Sequence, residues 1–354
     1  MDPTRLIPQA IPIPVEWGWF YLFQVLTFIA HILVMNVMLG ASIIALVHHL
    51  RGKRETEPLT RTISVKLPFT IAFAVNFGVA PLLFMQVLYG QFLYTSSVLM
   101  AVYWLGVVGL VIAAYGSAYI YDFRYLSLGG LKTFFIGLTV LCLLATAFVF
   151  TNNMTLMLNP GSWAAYFDNP GGTILNLSDP TVLPRYLHIV ASSTALGGLA
   201  LALLHSRRKD DPQAGRWVRH GMNWYAFSTV VQMALGLWFL TALPERIAHL
   251  LLGGSLSHTM VFAAGAVLGI FSISNALRYN VRPTAIISVT TISLMVYLRD
   301  MVRDAYLSPY FDVRDRVVTG EYLPFVLFVL TFVAGLAVIV WMLRTAAADT
   351  EVRS

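Results

Sequence analysis

LPFTIAFAVNFGVAPLLFMQVLYGQFLYTSSVLMAVYWLGVVGLVIAAYGSAYIY, residues 67–121, contains no Asp, Glu, Lys or Arg. About 20 apolar residues in a helix cross the hydrocarbon core of a bilayer. These 55 residues are too many for one crossing and suit two, with Tyr94-Thr95-Ser96-Ser97 as the expected turn. Outward from this stretch, similar apolar runs predict spans at 18–48, 67–91, 98–121, 132–157, 184–206, 218–243, 257–278, 284–306 and 322–345. The fold class is therefore all-α, a polytopic membrane bundle of about nine transmembrane helices. Residues 1–17, with Pro3, Pro8, Pro12 and Pro14, read as a segment at the membrane surface and not as a signal peptide. Residues 18–346 read as a single transmembrane domain without an internal repeat, and 347–354 as a cytoplasmic tail.

The whole chain supports this reading. Of 354 residues, 58% are hydrophobic and 11% charged, against about a quarter charged in an ordinary soluble domain. That excludes a soluble globular enzyme and a disordered chain. The net charge of +6 lies in short clusters between apolar runs, so it implies contact with anionic lipid and no nucleic-acid partner. With the N-terminus outside, 16 of the 23 Lys and Arg fall on the inner side, which sets the orientation as N-out, C-in. The segment 299–321 breaks the rule by placing Arg299, Arg303, Arg314 and Arg316 outside. The lone cysteine, Cys142, allows no disulfide framework.

No acid falls in the middle of a span, which argues against an ion-coupled transporter. Histidines do. His48, His49, His205 and His220 sit at inner span ends beside basic clusters and read as interfacial residues, and His249 reads likewise in an outer loop. Trp17, Trp19, Tyr21, Trp163 and Tyr166 outside, with Trp217, Trp224 and Tyr225 inside, read as interfacial belts. His31, His188 and His258 lie in the outer half. Buried imidazoles on different helices are what haem b requires of a protein, although each could instead only bond a neighbouring helix. Arg299 and Arg303, four residues apart on one helix face, could hold haem propionates or pair with Asp300, Asp304, Asp312 or Asp315. Met260, close to His258, is the methionine placed to serve as a second axial ligand.

The order of these motifs resembles subunit I of the cytochrome bd quinol oxidases. The pieces are Phe28-Ile-Ala-His31 running to Gly40, Asn76-Phe77-Gly78 running to Met85-Gln86 and Gly90, and Asn153 to Asn159-Pro160. Pro184-Arg-Tyr-Leu-His188 and Ser257-His258-Thr-Met260 follow. The resemblance implies nine helices, an outer N-terminus and one to three haems b near the outer face. It implies metal ligation by His31, His188 and Met260, with His258 as a substitute, and propionate binding by Arg299 and Arg303. Departures are equally plain. The loop from Pro244 to Leu256 is short, Leu298-Arg299-Asp300-Met301-Val302-Arg303 replaces the family's Gly-Arg-Gln-Pro-Trp signature, and the family's acidic residues of the third and eighth helices have no counterpart. The chain therefore resembles most the bd-like membrane cytochromes of anaerobic respiratory chains. Oxygen reduction needs buried carboxylates to deliver protons, so the resemblance implies oxidation of quinol without an oxygen-reducing site, and transfer to a periplasmic cytochrome c or another redox subunit at a bacterial or archaeal inner membrane. An oxygen-reducing quinol oxidase subunit and a haem-free anchor or transporter are the alternatives.

Overall fold

A computed structural model describes residues 2–52, 54–208 and 210–352. Among the described residues, nine helices are long and apolar enough to cross a membrane. We label them α1 (Trp17–Leu50), α2 (Glu57–Leu99), α3 (Ala101–Phe123), α4 (Leu131–Met157), α5 (Val182–Ser206), α6 (Ala214–Ala242), α7 (Leu256–Leu277), α8 (Val281–Leu307) and α9 (Tyr322–Val352). The all-helical, multi-pass membrane architecture expected from the sequence is the one observed. Lys53, Lys209 and Arg353, three of the basic residues used to orient the chain, lie outside the described residues, as does the end of the expected tail at 353–354.

The expected turn at Tyr94–Ser97 is corrected. α2 runs on to Leu99, and the chain bends at Met100 (φ −117°, ψ 32°). Thr95 Oγ1 donates to the Gln91 carbonyl at 2.7 Å and Ser96 Oγ to Leu93 at 3.0 Å, so these hydroxyls are satisfied inside a continuing helix. α2 also starts earlier than its apolar run. Its first turns carry Arg61, which pairs with Asp122 of α3 at 3.0 Å. Inside α2, Tyr89 leaves helical geometry (φ −130°, ψ 29°), which kinks the helix there.

The N-terminal segment is tied down by backbone pairing. Ile13 N–H donates to the Val317 carbonyl at 2.8 Å, and Thr319 N–H to Ile13 at 2.9 Å. Ile13 and Val15 then pack with Phe92, Trp163 and Leu307 over the end of the bundle where α1 begins, the outer end in the orientation expected from charge.

Several expected belt residues are interior. Trp163 is buried and donates to the Leu156 carbonyl at 2.8 Å, Tyr225 is buried with its hydroxyl on Ser288 at 2.7 Å, and Trp217 is buried. A ring whose polar tip finds a protein partner has no need of the headgroup region. The inner histidines are likewise helix-packing groups. His48 Nε2 meets His220 Nε2 at 2.8 Å across α1 and α6, and His205 is buried.

The centre of the bundle is the crossing of α1 and α5. Gly40 and Gly197 bring the two backbones together: a Cβ on Gly40 would overlap the Ser193 carbonyl, and one on Gly197 would overlap the Gly40 backbone. Small residues permit such close approach between membrane helices. Four residues before the glycines, Ser193 Oγ donates to Asn36 Oδ1 at 2.7 Å. Gly40 and Gly197 are 157 residues apart, and so are Asn36 and Ser193. A contact in which each residue meets its own equivalent marks a two-fold relation.

The relation extends through the chain. At the same offset of 157, residues 28–51 and 185–208 share eight of 24 identities: His31/His188, Ile32/Ile189, Leu39/Leu196, Gly40/Gly197, Ala45/Ala202, Leu46/Leu203, His48/His205 and Arg51/Arg208. Helix packing obeys it too. α1 lies on α2 as α5 lies on α6, α3 on α4 as α7 on α8, and α1 on α8 as α5 on α4. The chain is thus two four-helix repeats around a pseudo-two-fold axis, with α9 outside them. This overturns the expectation that it has no internal repeat. α1 and α5 run in the same direction, so the repeats are parallel and the axis follows the helices.

Gly197→Val should cost at least the roughly 3 kcal/mol at the upper end of ordinary overpacking, because its side chain would meet backbone. Gly106→Val, where a Cβ meets nothing within 4 Å, should leave stability nearly unchanged. Thermal unfolding of the detergent-purified variants separates the two outcomes.

Candidate functional site

His31 and His188 occupy equivalent positions. Each stands nine residues before the glycine at the axis. Nine residues advance a helix by about 13 Å and rotate it by two and a half turns. The two histidines therefore lie at one depth and point away from the axis, His31 toward α2 and His188 toward α6.

Their surroundings match. His31 Nδ1 is 2.9 Å from the Ala74 carbonyl, and His188 Nδ1 is 3.0 Å from the Gln232 carbonyl. A carbonyl can only accept, so Nδ1 carries the proton and, in the neutral ring, Nε2 keeps its lone pair. In an α-helix each of these carbonyls also accepts from the residue four positions on, which is Gly78 in α2 and Gly236 in α6. Helical side chains lean toward the N-terminus and would cover that carbonyl. Glycine leaves it open to the imidazole. A Cβ on Gly78 would sit 2.9 Å from His31 Cε1, and one on Gly236 would sit 3.2 Å from His188 Cε1.

The arrangement fixes the tautomer and orientation of each ring through Nδ1, which is how a metal-ligating imidazole is commonly held. Nε2 of His31 has no hydrogen-bond partner among the described residues, and Nε2 of His188 accepts from the Gln232 amide at 3.3 Å. The donor chemistry fits an axial ligand to haem iron at both positions.

Arg299 and Arg303 lie on α8 at the same end. Arg299 Cζ is 4.4 Å from the Phe28 ring, and Arg303 Cζ is 4.3 Å from the Tyr89 ring. Asp300 stands between them, fully buried, 2.9 Å from Arg303 Nη1 and 3.5 Å from Arg299 Nη1. Tyr89 OH donates to Asp304 at 2.7 Å, and the arginines reach two thioethers: Arg299 to Met154 and Arg303 to Met85, each at 3.7 Å. The pairing with Asp300 is thus real, yet Arg299 Nη1 and Arg303 Nε remain buried without hydrogen-bond partners. Such orphaned donors suit an additional anionic group. The pairing with Asp300 that the sequence allowed is the one observed.

Among the described residues, no hydrogen bond or ring contact joins Met260 or His258 to His188. α7 lies against α6 and α8. Met260 is 61% exposed on it. His258 Nδ1 is 2.8 Å from Ser255 Oγ at the start of the same helix. Sequence reading also missed Ala74, Gly78, Gln232 and Gly236. The offset of 157 that relates the histidines does not find them, because Ala74 and Gln232, like Gly78 and Gly236, stand 158 apart.

Outside the spans, hydrogen bonds from Arg314 hold the Asp312 carboxyl below its usual range, and burial lowers the Arg316 guanidinium. Arg316 Nη2 donates to the Val87 carbonyl at 2.9 Å, just before the bend in α2. An open cleft of about 570 Å³ at this end is lined in part by Asp179, Arg246 and Tyr306.

No protein-family model matches the sequence, and no curated protein matches it in sequence. Among solved structures, a chain of the bd oxidase from Geobacillus thermodenitrificans is similar, with a TM-score of 0.67 over 97% of this chain and 98% of that one. The fold is bd-oxidase-like. At 13% identity the likeness concerns the fold alone.

Asp300→Asn should lower stability by about 3–5 kcal/mol, the usual cost of breaking a buried ion pair from one side. Asp312→Asn, at the exposed Arg314 pair, should leave the melting temperature nearly unchanged. Thermal unfolding in detergent measures both.

Proposed function

We propose that the protein is the haem b-carrying membrane subunit of a bd-like quinol dehydrogenase. In this reading it takes electrons from quinol, menaquinol in type, and passes them to a periplasmic acceptor such as a c-type cytochrome, at a bacterial or archaeal inner membrane. One observation carries the reading: two symmetry-related imidazoles, each fixed through Nδ1 by a helix carbonyl beside a glycine, which leaves the Nε2 lone pair as the ligating position. Helix pairing alone accounts for the Nδ1 bond. It does not account for the same carbonyl, the same glycine and the same depth in both repeats.

His31 and His188 would each hold one haem b, and Arg299 and Arg303 would hold propionates with the N–H groups that have no hydrogen-bond partner among the described residues. Met260 on α7, with His258 as the substitute, would be the second axial ligand beside His188. Bound haem supplies one-electron chemistry, its potential set by axial ligand, hydrogen bonding and burial. The chain's own residues contribute three things. Ala74 and Gln232 hold the imidazole protons at Nδ1. Gly78 and Gly236 leave those carbonyls open to the rings. The α8 arginines place positive charge at the outer end. Asp300 is neutralised by two guanidinium groups and is poorly suited to relay protons, which favours quinol oxidation over oxygen reduction.

His31→Ala and His188→Ala should each remove one haem equivalent, and the double variant both, with the protein still inserted in the membrane. Gly236→Val should act like His188→Ala by pushing the ring off its carbonyl. Extracted haem per chain is the readout, and full retention in His188→Ala overturns the assignment.

A further inference from the structure

The two histidine sites share one more feature, with its halves exchanged. Three residues before His31 on α1 stands Phe28, and the Arg299 guanidinium of α8 lies 4.4 Å from its ring. Three residues before His188 on α5, at the equivalent position, stands Arg185, whose guanidinium lies 5.0 Å from the Phe239 ring of α6. Each histidine thus has a guanidinium stacked on a phenyl ring about one turn toward the outer end. In the first repeat the cation comes from a neighbouring helix. In the second it comes from the histidine's own.

The two cations differ in how they are neutralised. Arg299 has Asp300 at 3.5 Å. Arg185 forms no ion pair among the described residues, and its Nε is buried without a hydrogen-bond partner. Asp179, its acidic neighbour, accepts from Thr181 and Asn176 instead. A half-buried guanidinium without a counterion is costly to hold. Its fork of donors matches a carboxylate, and its stack on Phe239 fixes the plane in which that fork lies.

We propose that Arg185 is the anion-binding residue of the second site and holds the carboxylate edge of the group that His188 ligates. This rests on the haem reading above. Arg185 is then a positioning residue that acts on the iron through charge. Neutralising a propionate favours the ferrous state, so removing the guanidinium should favour the ferric one.

The test is a spectroscopic redox titration of the full-length, detergent-purified protein and its variants. Arg185→Leu should keep both haems and lower the midpoint potential of one of them. A tenfold change in its ferric-to-ferrous ratio at a given poise corresponds to about 59 mV for a one-electron couple. Arg185→Lys should restore most of the shift, and the potential of the other haem should not move. If Arg185→Leu does not accumulate, Arg185→Gln, neutral and polar, carries the same expectation. Wild-type potentials in the neutral variant overturn the proposal and leave the haem reading standing. A wild-type protein without haem overturns both.

Discussion

The close approach of Gly40 and Gly197 is the constraint on which the rest of the bundle depends. Two helix backbones touch there because neither residue carries a Cβ, and the Asn36–Ser193 hydrogen bond locks the crossing one turn away. Everything in the candidate sites is measured from that point. Nine residues separate each glycine from its histidine, and helix geometry converts this spacing into equal depth and opposite direction. A side chain at the crossing would shift both sites together, because they are built on the same pair of helices.

Around this axis the repeats have kept one chemistry and varied another. The histidine, the carbonyl that orients it and the glycine that exposes the carbonyl occur in both halves. The charged residues do not. The second repeat places Arg299, Asp300, Arg303 and Asp304 on α8, where the equivalent part of α4 offers Asn152 and Asn153. Met85, Met154 and Tyr89 from the first repeat complete the cluster, so it joins the halves at the outer end. The breach of the positive-inside pattern at 299–321 has a physical basis in this cluster, since two of its four arginines are ion-paired inside the bundle.

The helices were legible because long apolar runs have few alternatives in a chain this poor in charge. His31 and His188 were legible for the same reason: a titratable side chain is conspicuous within a span. What holds them was not. Ala74 and Gln232 act through backbone carbonyls, which any residue supplies, and Gly78 and Gly236 act by lacking a side chain. The repeat was hidden because its eight identities are scattered among apolar residues that substitute freely for one another. Tyr94–Ser97 misled because serine and threonine can satisfy their hydroxyls within a helix. Trp163 and Tyr225 misled because an aromatic ring near a span end is equally at home in the interface or in the core.

The central claim is that the two equivalent imidazoles are haem ligands. A dithionite-reduced minus oxidised visible spectrum of the purified protein, with extracted haem quantified, tests it most directly. The account predicts a b-type α-band, two haems per chain from His31 and His188, and no d-type band. A colourless protein would contradict it and reduce both histidines to pairing groups between helices.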